Sequence, residues 1–151
     1  MKETYYIYNN EAIASCILIC VLHRVKSIDI ARSCLILPFL LDDKTVNYLH
    51  KFGESDLSLE QLINEQARLF TTFNKRYLSL LPVAINAIII LKKSNQIELS
   101  NNISANSNTF ISTNVDLGER LHKIIEVIPS FLYLTEKYTT LQLYQILNVQ
   151  L

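Results

Sequence analysis

Glycine is nearly absent from this chain: its 151 residues contain two, Gly53 and Gly118. Phosphate-cradling loops, dinucleotide-binding turns and the elbow that presents a nucleophilic serine all need clustered glycines. Two isolated glycines build none of these, so ATPase activity by this chain alone is not expected. Charge is scarce as well. Charged residues make up 19% of the chain, the formal net charge is zero and the pI is near 6.8. Such a field does not draw in DNA or anionic membranes. It also protects poorly against self-association, which suits a subunit whose apolar surface is covered by a partner. Three cysteines, Cys16, Cys20 and Cys34, are too few and too clustered for a disulfide framework. Together with residues 1–25, which lack the pattern of a secretory signal, they lead us to expect a reducing cytoplasm. Residues 12–22 and 78–91 are apolar but fall short of the ~20 residues that a membrane span needs.

What is present is hydrophobic: half of the residues, enough for one domain with its own core. A first helix is expected from Asn9 or Asn10 to about Val25, apolar nearly all round and therefore central. Residues 35–41, LILPFLL, contain Pro38 and read as a short edge strand or extended segment, or as a helix. A short helix over residues 44–51 follows, with an aspartate cap and Gly53 as its stop. Ser58 and Gln61 form a capping box, with Leu57 and Leu62 as its staple. The stripe Leu62, Ile63, Leu69, Phe70, Phe73, Tyr77 continues that helix, and Pro82 starts or kinks the next, over residues 83–91. A last long helix starts at Asp116 and Glu119 and buries Leu121, Ile124, Ile125, Ile128, Phe131 and Leu132, with a bend at Pro129. A final short helix spans residues 139–147.

Between residues 91 and 116 the period changes to two. QIELS, residues 96–100, and TFIST, residues 109–113, read as the strands of a hairpin around the polar loop NNISANSN. Helix followed by hairpin is the end of a winged helix-turn-helix. The expected fold is therefore mainly α with a small β-hairpin, a winged-helix-like α+β single domain over residues 1–151 with a C-terminal helical extension. A wing that grips DNA needs Lys or Arg for phosphates. This one carries Glu98 as its only charge, and the helix before it, VAINAIIIL, is expected to be buried. The shape points to DNA and the chemistry to protein.

Candidate site residues are few. Cys16, Cys20 and His23 share one helical face, yet no second ligand cluster accompanies them, so they read as packing residues and not as zinc ligands. His122 and Glu126 form an i, i+4 pair on a polar face, and His50 has no evident partner. Tyr5, Tyr6 and Tyr8 suit protein packing better than base stacking. Arg68, Lys75, Arg76, Lys92 and Lys93 are the candidates for phosphate contact, against the plainer reading of solvated helix ends. Glu54, Asp56, Glu60 and Glu65 form an acidic face. Ile103, at the expected loop tip, and Phe131 and Tyr133, on the last long helix, are the candidates for protein contact. No catalytic set, cofactor or metal site is expected.

Three segments carry a resemblance. They are YNNEAIASCILICVLHRV, then CLILPFLLDDKTVNYL, then RYLSLLPVAINAIIILKKSNQIELSNN, and the resemblance spans roughly residues 5–102. In order and spacing the chain resembles the middle components of bacterial three-component ABC systems, including the small accessory subunit of Lamassu anti-phage systems. The resemblance implies a non-catalytic, winged-helix-like subunit. It would link an ATPase similar to structural-maintenance-of-chromosomes (SMC) proteins to an effector such as a nuclease, and restrain it until foreign DNA is sensed. DNA contact would come only through or alongside that complex, with no membrane involved. Two other classes remain: a stand-alone winged-helix DNA-binding regulator, and a small enzyme or toxin.

Overall fold

The computed structural model describes residues 10–53, 56–106 and 118–150. Helix α1, Glu11–Val25, is capped by Asn10, whose side chain accepts from the backbone of Ala12 and Ile13. Ala14, Ile17, Leu18, Val21 and Leu22 are buried, and α1 is the central helix expected from its all-round apolarity. Strand β1, Ser27–Asp29, follows directly. Asp29 then caps the single turn α2, Ile30–Ser33.

The segment around Pro38 is helical: α3 spans Ile36–Leu40. That decides between the two expectations for residues 35–41 and overturns the edge strand. Pro38 sits in the first turn, where its missing N–H breaks no helical bond. All five residues are buried, and complete burial, which strands and helices share, is what blurred the pattern. Asp42 caps α4, Asp43–Phe52, accepting from the backbone and hydroxyl of Thr45. Gly53 follows with an ordinary φ of −65°, so it is not a left-handed stop. It is small because a Cβ there would collide with the Ser130 hydroxyl, whose Oγ donates to the Gly53 carbonyl.

The Ser58–Gln61 capping box is present and starts α5, Leu59–Glu65. The helix does not run on to Tyr77. Gln66 leaves helical geometry at φ −122°, ψ 50°, and a short 3-10 turn, Ala67–Leu69, intervenes. Helix α6, Phe73–Lys93, then passes through Pro82 without a break. It is closed by a Schellman motif: Asn95 is left-handed at φ 59°, and the Gln96 and Asn95 amides bond to the Leu91 and Lys92 carbonyls. Asn148 at φ 55° does the same at the end of the last helix. In a chain this poor in glycine, asparagine takes these two left-handed positions.

Strands β2, Ile97–Leu99, and β3, Asn102–Ala105, form a hairpin tighter than the expected one. The turn lies at Ser100 and Asn101, and Ile103 is within β3. The sheet is antiparallel in the order β1-β3-β2, with Ile28 opposite Ile103 and Ile103 opposite Leu99. Residues 109–113, the expected second strand, lie outside the described residues, as does Asp116. Helix α7, Glu119–Thr135, begins after Gly118, which stands at the cap position at φ 85°. Thr139 and Gln142 form a second capping box at the head of α8, Thr140–Ile146.

One core joins these elements. α6 packs along α1, α4 along α7, and β3 closes over α1. At its centre Phe39 is fully buried, with ring centroids 5.2 Å from Phe73, 5.2 Å from Phe131 and 5.8 Å from Phe70. The chain is thus mainly helical with a small antiparallel sheet. The segment Ala67–Lys93 has the length and apolarity of a membrane span, but eight side chains of α6 are buried against the rest of the protein.

Candidate functional site

Two exposed apolar surfaces stand out, and one corrects an expectation. VAINAIIIL is only half buried: Val83, Ala84, Ala87, Ile88 and Leu91 face the core, whereas Ile85, Ile89 and Ile90 are each nearly half exposed. With Leu78, at 47% exposure, and Pro82, they make an apolar stripe along the outer face of α6. The helical period produces it. Positions 78, 82, 85 and 89 recur at intervals of three and four, so they project from one side. The second surface joins α4 to α7, where Phe52 and Tyr133 are each more than half exposed beside the Tyr48 ring. Soluble proteins seldom leave neighbouring large apolar side chains in water unless something covers them.

The named protein-contact residues divide accordingly. Tyr133 is exposed, Phe131 belongs to the aromatic core and Ile103 is 1% exposed. Ile103 is therefore not a loop tip: β3 begins one residue before it, and its side chain is sealed between the sheet and α1. An apolar residue within a polar run was the signal, and burial was its meaning.

The basic candidates divide too. Arg76 is a structural clamp, only 11% exposed at its side chain. It donates to the carbonyls of Pro38 and Leu69, which the ends of α3 and the 3-10 turn leave unbonded, and to the Thr72 hydroxyl; its Nε lies 3.9 Å from the Asp42 carboxylate. Lys75, Lys92 and Lys93 are exposed, with Lys92 4.0 Å from Glu98. Arg68 is exposed on the 3-10 turn, and Asp56, Glu60 and Glu65 are exposed as a solvated face; Glu54 and the early tyrosines lie outside the described residues.

No set of groups converges for chemistry among the described residues. No group of three or more His, Cys, Asp or Glu there is arranged to hold a metal ion. Burial raises the thiol pKa of Cys16, Cys20 and Cys34, which disfavours the reactive thiolate. Glu126 does not pair with His122. Its carboxylate lies 2.9 Å from Nε2 of His50, on the facing helix α4, in an exposed contact. A cleft of about 580 Å³ opens between the end of α1, β1 and α7, but its Asp29, Arg32 and Thr135 side chains are used internally. Arg32 donates to the Thr135 and Tyr138 carbonyls at the end of α7, and Asp29 accepts from Thr140 at the head of α8. Tyr144 donates to the Ala31 carbonyl and meets the Tyr77 hydroxyl at 3.0 Å; burial first, then that hydroxyl, push its phenol well above the usual range. These contacts fasten the C-terminal helices to the body.

Replacing Cys16 and Cys20 together by alanine is expected to cost at most about 3 kcal/mol, through packing alone. Denaturant unfolding reads the loss, and elemental analysis should give the same zinc content before and after. Stoichiometric zinc in the wild-type protein would overturn a packing role.

No curated protein and no solved structure is significantly similar to this chain. A family model, however, matches residues 2–150, almost its whole length. The helices and sheet described above, with their apolar outer faces and no converging catalytic set among the described residues, are those of a protein that belongs to the Middle Component 3 family of ABC-three component (ABC-3C) systems.

Proposed function

We propose that this chain is a non-catalytic accessory subunit that bridges an SMC-like ABC ATPase and an effector such as a nuclease. In this reading it acts in a Lamassu-type anti-phage or anti-plasmid complex in the bacterial cytoplasm, and restrains the effector until foreign DNA is sensed. Its body is a single winged-helix-like domain with a C-terminal helical extension. The topology supports this reading: helix, strand, helices, then a hairpin whose second strand pairs with the first strand. The observation that carries the function is the outer face of α6. Where a winged helix would present cations and polar groups to bases, this one presents isoleucines. DNA contact then comes only through or alongside the assembled complex. Two apolar surfaces, on α6 and on α4–α7, supply one face for each partner.

Co-expression of the chain with the ATPase and effector encoded beside it tests the proposal. The tagged chain is expected to retain both, and effector activity should rise when the chain is omitted. Retention of neither would overturn the bridge. The same topology favours a second reading, a stand-alone winged-helix regulator. Tight, salt-sensitive shifting of duplex DNA by the isolated chain would establish that reading instead.

A further inference from the structure

We infer that the outer face of α6 receives an amphipathic helix of a second protein, one that carries carboxylates at both ends of its apolar stripe. This rests on the bridging reading and specifies one of its two contacts. The apolar part of the face is Leu78, Pro82, Ile85 and Ile89, about three turns long. Lysines close it at both ends, Lys75 before Leu78 and Lys92 with Lys93 after Ile89, all exposed. Lys92 lies near Glu98, whereas among the described residues neither Lys75 nor Lys93 forms an ion pair. From Lys75 to Lys92 the helix rises about 26 Å, which a partner helix of about 18 residues matches.

Charge selects this occupant over the others. Two copies of this chain paired antiparallel along the stripe would set Lys75 of each against Lys92 and Lys93 of the other. Paired parallel, each lysine would meet its own counterpart. Either arrangement brings like charges together at both ends of a contact whose centre is apolar. A nucleic-acid backbone would satisfy the lysines but press phosphates against four apolar side chains. A helix with an apolar centre and acidic ends satisfies both parts, as ridge-into-groove packing allows.

The test uses the full chain co-expressed with the ATPase and effector of its own system. A photo-crosslinking phenylalanine derivative replaces Ile85, or in a second preparation Ile89. The expected adduct joins it to a helix of one of those proteins with acidic residues about 17 positions apart. Reversing Lys75, Lys92 and Lys93 together to glutamate is expected to lower retention of that protein at least tenfold and to leave the other retained. The double variant Ile85→Glu, Ile89→Glu should do the same, and both variants should keep cooperative unfolding, because every altered side chain reaches solvent. An adduct to a second copy, to residues 1–9 or 107–117 of the same chain, or to a helix without acidic ends overturns the inference. So does undiminished retention of both proteins by both variants. If the wild-type chain retains neither protein, the bridging reading itself has failed, and the inference with it.

Discussion

Ile103→Asp is expected to prevent the isolated chain from folding. Ile103 is 1% exposed in the middle strand of the sheet, between Ile28 on one side and Leu99 on the other. Removing the buried isoleucine side chain costs about 2–5 kcal/mol. Placing a carboxylate at this buried position adds several kcal/mol more. Their sum rivals the ~5–15 kcal/mol by which a domain of this size is stable. Loss of cooperative unfolding, and rapid cleavage in limited proteolysis, are the readouts. Ile103→Val keeps the shape and should cost only about 0.5–1.5 kcal/mol. A surface loop would behave in the opposite way, with the aspartate variant folding normally. A folded, cooperative Ile103→Asp protein would therefore return Ile103 to the surface.

Phe39→Ala is expected to cost about 3–5 kcal/mol, the range for a fully buried phenylalanine. The ring is the meeting point of three others, Phe70, Phe73 and Phe131, which come from the 3-10 turn's end, α6 and α7. Its removal thus loosens three elements at once. A lowered urea midpoint with unchanged slope is the expected signature. Combining it with Phe131→Ala should cost less than the two single losses added, because both remove the same contact. Additive losses would show that the two rings do not share a cavity.

The elements the sequence reveals most clearly are those that local chemistry dictates. Asn10, Asp42, Ser58 and Thr139 each cap a helix, and the capping box at Ser58 announces itself by Gln61, a spacing that Thr139 and Gln142 repeat in the structure. The elements that stayed ambiguous or were misread depend on distant partners. Residues 36–40 are buried on all sides, so their apolarity carries no period. Strand β1 is three residues long and exists because β3 pairs with it. The break at Gln66 leaves the apolar spacing across it undisturbed, so the sequence runs on where the helix does not. The apolarity of α6 is legible, but which half faces water depends on the position of α1. Arg76 shows the same limit. Its composition suits a phosphate, and only the placement of two unbonded carbonyls assigns it to the fold.

The pairing of β1 with β3 sets how long α1 waits for part of its cover while the chain is being made. Ile28 and Ile103 are 75 residues apart in sequence (103 − 28), so β1 joins the local β2–β3 hairpin only when a long loop closes. At about 5–20 residues per second, the ribosome delivers β3 about 4–15 s after β1. Throughout that interval α1 has part of its apolar surface uncovered, since the strand that closes over it is still unmade. Fastening of α8 to Asp29 and Ala31 comes later still. A pause in translation upstream of residue 102 would prolong the exposure of α1, so synonymous codon speed over residues 30–100 is expected to affect the soluble yield of this protein.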